Sequence, residues 1–378
     1  MLPKAINIAI LSPSKDAYSE TFIQAHKNFL KGRVYFFNSG ILPTKLEGGN
    51  LINSRRLRIL NIIRGHFNLN RFSLPEIALI NSFKKNKIDI VLAEYGDTAQ
   101  KALKICKHLK LPLIVHFHGY DASVSEVIKN NYNYKEVFET ASFVVVVSKK
   151  MYRDFSKLGC PEQKLIYNVY GPNDEFLTVQ PNFSKQQFIA IGRFVDKKAP
   201  YYLILSFLKV IEKFPEAKLI MAGDGQLLDT CKNLVRYFKL EANINFVGVI
   251  SPKKYREYLE ESLAFVQHSV TAENGDSEGT PVGILEANGA GLPVISTRHA
   301  GIPDVIIHGK TGLLVEEHDV DGMAENMIKL LENPEIAKEM GAKGKINIEG
   351  NFTLKRHVEL LDTLIERAVK PSLRTLKS

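Results

Sequence analysis

Long apolar runs are absent from this 378-residue chain. No stretch approaches the roughly 20 consecutive apolar residues of a membrane-spanning helix, and the apolar opening Met1–Leu11 is too short for a signal sequence with its cleavage site. The expectation is a cytoplasmic protein that is not integral to a membrane. Cysteine is scarce too. Cys106, Cys160 and Cys231 are odd in number and have neither disulfide nor zinc spacing, which fits a reducing compartment. No DxD-type or His/Cys constellation offers an evident metal site, so no metal and no resident cofactor are expected. Repeats of solenoid length and low-complexity tracts are missing. Gly223-Asp224-Gly225 stops short of G-x-G-x-x-G, so a dinucleotide fingerprint is not supported.

What is present is a globular composition, 45% apolar and 24% charged, in a chain longer than one core comfortably serves. Apolar, β-rich runs alternate with helical patterns, the signature of doubly wound parallel α/β architecture. In the first half strands are read at Ile6–Ser12, Arg33–Phe37, Ile88–Ala93, Leu113–Phe117, Phe143–Ser148 and Leu165–Tyr167. Helices fall near Glu20–Leu30, Leu74–Lys85, Thr98–Lys107, Lys135–Thr140 and Lys149–Leu158. The grammar restarts with strands at Gln187–Ile191, Lys218–Ala222, Ile244–Val247, Leu263–His268, Val294–Thr297 and Gly312–Val315. The helices there are Tyr201–Lys213, Gln226–Phe238, Lys253–Glu260 and Gly322–Leu331, with a last strong one at Leu354–Val369. Turn residues and weak periodicity between Tyr170 and Ser184 mark the boundary, dividing the chain into domains 1–178 and 179–357.

The net charge of +9 is unevenly spread: residues 1–175 carry 25 Lys and Arg against 15 Asp and Glu, residues 176–378 carry 25 against 26. A basic half suggests an anionic partner. Arg55, Arg56, Arg58 and Arg64, interleaved with Leu57, Ile59, Leu60, Ile62 and Ile63, suit either a membrane interface or a helix packed by its aliphatic face. Nucleic acid is disfavoured, since no recognition motif accompanies the charge.

The most informative segment runs from Ser277 through Glu278-Gly279-Thr280-Pro281 to Glu286 and on to Gly291-Leu292-Pro293. Thr280 suits an N-cap and Pro281 the first helical position, while Gly291 and Pro293 end the run. A helix starting there points free N–H groups at an anionic guest such as phosphate. Glu278 stands before the helix and Glu286 about a turn and a half inside it. Carboxylates flanking a phosphate site are acceptors for sugar hydroxyls, so the combination reads as a nucleotide-sugar site. The plain alternative is a buried αβ unit with two solvated glutamates.

This run resembles the EX7E signature of retaining GT-B glycosyltransferases, in particular glycosyltransferase family 4. The resemblance implies two Rossmann-like domains facing across a cleft, with a C-terminal helix, 358–378, packing back on the first. It implies transfer of a sugar from a UDP-, GDP- or ADP-sugar to a glycan or lipid-linked acceptor, of the kind used in bacterial surface-polysaccharide or lipopolysaccharide assembly. Glu286 would hold the ribose and Glu278 the sugar, with Gly279, Thr280 and Pro281 at the diphosphate.

Ile191-Gly192-Arg193 ends a strand, where ligands of such sheets bind, so Arg193 and Lys198 are placed to meet a diphosphate. The element is similar to the family's G-R-x-x-x-x-K-G, with Ala199 where glycine is usual and Lys197 as the substitute lysine. His118-Gly119-Tyr120-Asp121 resembles the H-G-x-D element, whose histidine approaches the reacting centre; His116 shares its face, and Asp121 reads as a cap or loop brace. Ser19-Glu20-Thr21-Phe22 looks like the S-E-T-F entry of a subset of family 4, with Ser19 and Glu20 on the acceptor side. Glu94 and Tyr95 lie on the same rim, as acceptor contacts or as lining. By resemblance Gly223 and Gly225 lie near the nucleotide, the Val249 backbone near the base, and His299-Ala300-Gly301-Ile302-Pro303-Asp304 forms a turn near the phosphates, similar to G-G-I-P-E. The catalytic set is therefore His118, Arg193, Lys198 and Glu278, with domain closure bringing His118 and the acceptor to the anomeric carbon. A nucleotide-sugar epimerase, a phosphorylase and a non-catalytic nucleotide-sugar-binding protein are the competing readings.

Overall fold

The computed structural model describes residues 5–15, 20–49 and 72–375. Ser19 and the Arg55–Arg64 stretch lie outside the described residues. The chain forms two compact units, one of Met1–Val147, Tyr152–Asn168 and Val358–Ser378, the other of Ser148–Met151 and Val169–His357.

The first unit holds a seven-stranded sheet: β1 (Asn7–Leu11), β2 (Arg33–Asn38), β3 (Lys45–Leu46), β4 (Ile90–Glu94), β5 (Leu113–His116), β6 (Phe143–Val146) and β7 (Leu165–Tyr167). Their order is β3-β2-β1-β4-β5-β6-β7, and every pair is parallel except β2 with the short edge strand β3. Strands with helices on both faces are apolar throughout, and β4, β5 and β6 are buried at every position. The Leu74–Lys85 helix starts in a capping box, with the Ser73 N–H donating to Glu76 Oε2 at 2.6 Å.

The second unit carries β8 (Gln187–Ile191), β9 (Lys218–Ala222), β10 (Ile244–Gly248), β11 (Ala264–Gln267), β12 (Val294–Thr297) and β13 (Gly312–Val315). All pairs are parallel, in the order β10-β9-β8-β11-β12-β13. This is the doubly wound order, reversing between β8 and β11. Phe188, Phe207, Val210, Leu219, Val266 and Met327 lie in its core, where each large apolar side chain contributes about 1.5–3 kcal/mol. Helix starts are set locally, as where Ser251 Oγ accepts the Lys254 N–H at 3.2 Å ahead of Pro252–Glu261.

A helix over Pro334–Asn351 lies outside the elements read from the sequence. Its glycines obscured it, and the structure accounts for them: a Cβ on Gly341 would stand 1.9 Å from the Gly291 carbonyl oxygen, and one on Gly344 would stand 2.1 Å from the Asn288 side chain.

Candidate functional site

Loops leaving the carboxyl ends of β8 and β11 diverge at the reversal of the second sheet, the usual place for a ligand in such a sheet. A pocket there is lined by Gly192, Arg193, Lys198, Gln267 and His268 among others. Two glycines make its outer loop possible. Gly223 has φ 133° and Gly225 φ 154°, and side chains there would reach to 1.9 Å from the Gly192 oxygen and 2.5 Å from the Phe194 oxygen. The sequence reading put these glycines near the nucleotide; the structure puts them beneath the Gly192–Phe194 loop, with the Phe194 N–H donating to the Asp224 carbonyl at 2.9 Å.

Asp196–Lys198 form a 3-10 turn that ends in a left-handed Ala199, φ 37°, the position where the resemblance leads one to expect glycine. The turn sends its two lysines apart. Lys197 is buried, with Nζ 2.9 Å from Asp276 Oδ1 and 3.2 Å from the Ser277 carbonyl. Lys198 lines the pocket, its Nζ 3.1 Å from Glu278 Oε1 and 3.2 Å from Gln267 Oε1. Lys197 is thus committed to the loop before Glu278 and does not substitute for Lys198. Arg193 is exposed and makes no ion pair among the described residues.

Burial alone would raise the Glu278 carboxyl, but Lys198, Lys197 and His299 more than offset it and leave it at about 2. Burial lowers the Lys198 ammonium from its ordinary value, with Glu278 acting the other way. Glu278 is therefore ionised at neutral pH, beside two cations.

The helix after it spans Val282–Gly289, with Pro281 itself at the N-cap and no side-chain capping bond. Thr280 is therefore not the cap, and Pro281 stands one position before the helix. A Cβ on Gly283 would lie 3.1 Å from Ile191 Cγ2, so this helix begins against the end of β8, beside Gly192 and Arg193. Amides of such a start favour anions. Glu286 lies in the fifth position of the helix, its side chain without a hydrogen-bond partner among the described residues, and burial pushes its carboxyl up to about 7. Val249 is 53% exposed in the loop after β10 and is not among the residues lining the pocket with Arg193.

Behind Glu278 stands the turn at His299. A Cβ on Gly301 would come within 2.3 Å of both the Gly279 oxygen and Thr280 Oγ1, so only glycine fits. Ala300 is left-handed, φ 46°, again where the resembling motif has glycine. Sequence reasoning took this turn as structural and missed that the His299 ring reaches Glu278, 21 positions earlier.

In the first unit the strand order reverses between β1 and β4, and polar residues gather at the ends of these strands. Glu94 ends β4 and is completely buried. Its carboxylate lies 2.7 Å from His26 Nδ1, 2.9 Å from His118 Nε2 and 3.6 Å from His116 Nδ1. Burial would raise it, but the His26 charge and bonds from the three imidazoles hold it well below the carboxylate range. His116 is lowered to about 3, first by burial and then by His118. Glu94, read as a rim residue, is instead enclosed, with its carboxylate turned to the three imidazoles.

The His118 ring is stacked on Phe22 at 4.4 Å and edged by Tyr95 at 4.6 Å. Asp121 accepts the backbone N–H groups of His118, Gly119 and Gly96 at 3.1, 3.0 and 2.9 Å, bracing that turn. Tyr95 holds φ 77°, a strained value for a bulky residue, and donates its hydroxyl to Glu20 Oε1 at 2.7 Å, while Ser14 donates to Glu20 Oε2. Glu94, His116 and His118 offer one carboxylate and two imidazole nitrogens within 4.8 Å of one another, a set that metals use. Within this structure the set is joined by hydrogen bonding, with Glu94 Oε2 2.9 Å from His118 Nε2.

The family model for glycosyl transferases group 1 matches residues 175–346, and that for Glycosyltransferase Family 4 matches residues 34–169. An amylovoran biosynthesis glycosyltransferase of Erwinia amylovora is 26% identical over 334 residues, 86% of this chain and 80% of the relative. A putative colanic acid biosynthesis glycosyltransferase of Escherichia coli K12 is also 26% identical, over 64% of this chain and 61% of its own length. Among solved structures, Anabaena HepE in complex with UDP superposes with a TM-score of 0.76 at 14% identity, covering 96% of this chain and 100% of that one. Two parallel-sheet units, each reversing its strand order beside a polar site and each matched by a glycosyltransferase family, make this chain a glycosyltransferase of the GT-B fold.

Proposed function

We propose that the chain is a retaining, metal-independent hexosyltransferase of the EX7E kind. It takes a sugar from a UDP-, GDP- or ADP-sugar to a hydroxyl of a glycan or lipid-linked acceptor, in the cytoplasm, for a cell-surface polysaccharide or lipopolysaccharide. The observation that carries this reading is the grouping of Arg193, Lys198 and ionised Glu278 at the reversal point of the second sheet. Two cations and a helix start suit a diphosphate, and a carboxylate suits sugar hydroxyls. Glu286 suits the ribose diol. When the donor arrives, Lys198 turns to the diphosphate and Glu278 is released to accept hydroxyl protons from the sugar.

In transfer, the acceptor oxygen bonds to the anomeric carbon as the bond from that carbon to the phosphate oxygen breaks. The departing diphosphate takes the acceptor's proton, giving a glycoside and a nucleoside diphosphate. Arg193 and Lys198 stabilise the negative charge that grows on the leaving oxygen, the main catalytic contribution in this scheme. His118, held by Glu94, serves the reacting sugar. The relatives named for amylovoran and colanic acid biosynthesis support the surface-polysaccharide setting, and the UDP complex of HepE puts UDP-sugars first among donors to test.

A thermal-shift panel of UDP-glucose, GDP-mannose and ADP-glucose should show one base family stabilising the protein. NMR of the transfer product should show the donor's anomeric configuration kept. Arg193→Ala and Glu278→Ala should each abolish turnover while leaving the fold intact; near-normal turnover in either defeats the assignment, and an altered sugar still attached to its nucleotide would point to an epimerase.

A further inference from the structure

Glu278 is held from behind as well as from the pocket. Its backbone N–H donates to His299 Nε2 at 3.0 Å. A backbone amide is a donor only, so Nε2 is the unprotonated nitrogen and Nδ1 carries the ring's hydrogen. That Nδ1–H faces Glu317 Oε1 at 2.6 Å, while Glu317 Oε2 accepts the Thr271 N–H at 2.8 Å. The imidazole is 1% exposed and the carboxylate 28%. The Glu278 N–H on one nitrogen and Glu317 on the other thus set the ring's tautomer and tilt.

Further bonds pin the same loop. Lys197 holds Asp276 and the Ser277 carbonyl, and the Gly301 N–H donates to the Gly279 carbonyl at 2.9 Å. Among the described residues, the His299 bond is the one made by the Glu278 backbone, while Lys198 meets its side chain. The residues on either side of Glu278 are fixed independently of His299, so losing that bond tilts one peptide without unfolding the loop.

We propose that His299 and Glu317 are a positioning pair for the donor sugar: the carboxylate orients the imidazole, and the imidazole fixes the backbone of Glu278 so that its side chain meets the sugar hydroxyls. The proposal rests on the donor-site reading above. It assigns the pair no contact with the nucleotide, so its effect is confined to the sugar half of the donor.

The test compares His299→Phe, which keeps ring volume and removes the acceptor, with His299→Gln, whose amide oxygen can accept in place of Nε2. Binding of UDP-glucose, GDP-mannose and ADP-glucose is measured beside UDP, GDP and ADP, together with donor turnover and melting temperature. With the base that binds, His299→Phe should lose about 10- to 100-fold in turnover and in the affinity gained from the sugar, as misplacement of a contact group does, while affinity for the bare diphosphate stays within about twofold. His299→Gln should recover most of the loss. Glu317→Gln should show the same split in weaker form, and it serves if His299→Phe does not fold. Because the pair acts through Glu278, His299→Phe should add little to Glu278→Gln.

Equal losses for diphosphate and donor, additivity with Glu278→Gln, or wild-type turnover in His299→Phe beside an inactive Glu278→Gln would each overturn the pair alone. A fully active Glu278→Gln enzyme would overturn the donor-site reading, and the pair with it.

Discussion

Glu286 offers a measurement made before any substrate is known. Burial pushes its carboxyl from 4.5 to about 7, and at about 1.36 kcal/mol per pH unit the charged form then costs the folded state up to about 3 kcal/mol. The sign follows from proton linkage. Below pH 4.5 the group is protonated in both states and costs nothing. Between 4.5 and about 7 the folded protein keeps a proton that the unfolded chain has released, so stability falls as pH rises. Above about 7 the full penalty is present. Glu286→Gln removes the charge and should therefore raise stability at pH 8 by up to about 3 kcal/mol, several degrees in melting temperature for a domain of this size, with little gain at pH 5. Donor binding should behave oppositely. A ribose diol donates to the ionised carboxylate, so wild-type affinity should fall as pH drops below about 7, and Glu286→Gln should bind weakly without that slope. Scanning fluorimetry and titration calorimetry at pH 5 to 8 test both halves. If the melting difference between variant and parent is the same at pH 5 and pH 8, the carboxyl has an ordinary affinity for its proton and the argument fails.

Three further outcomes are expected. Glu94→Gln leaves His26 and His118 beside a neutral amide in a buried site, so urea unfolding at pH 7 should show a loss of about 1–3 kcal/mol, with turnover reduced more than about tenfold; unchanged stability would mean that Glu94 is not the ionised hub of that cluster. Ala199→Gly and Ala300→Gly relieve left-handed alanines that cost about 1–2 kcal/mol each, offset by glycine's chain entropy of about 0.5–1 kcal/mol; each should raise stability by about 0.5–1 kcal/mol, and a loss at either position would show the strain to be absent. Replacing Arg55, Arg56 and Arg58 with Glu should weaken sedimentation with anionic vesicles, and undiminished binding would remove this stretch as a membrane anchor.

Local pattern was enough for the architecture. Valine- and isoleucine-rich runs of strand length, separated by helical periodicity, already imply parallel sheets covered on both faces, and the strands β7, β8, β9, β12 and β13 fall where the pattern puts them. The pocket residues Gly192, Arg193 and Lys198, with Glu278 beside them, were legible because strand ends and a helix start are marked by short-range chemistry: glycine, proline and charge within a few positions. Whatever depended on residues far apart was not. Gly341 and Gly344 look like helix breakers until the backbone packed against them is seen, and Lys197 looks equivalent to Lys198 until a left-handed Ala199 sends them to different partners. His299 and Glu317 meet Glu278 from separate loops, and burial lifts the proton affinity of Glu286 while cations depress that of Glu278. Periodicity reports which face of an element is apolar, but electrostatics and close packing act through space, so the two glutamates of one signature acquire opposite protonation behaviour only once the chain is folded.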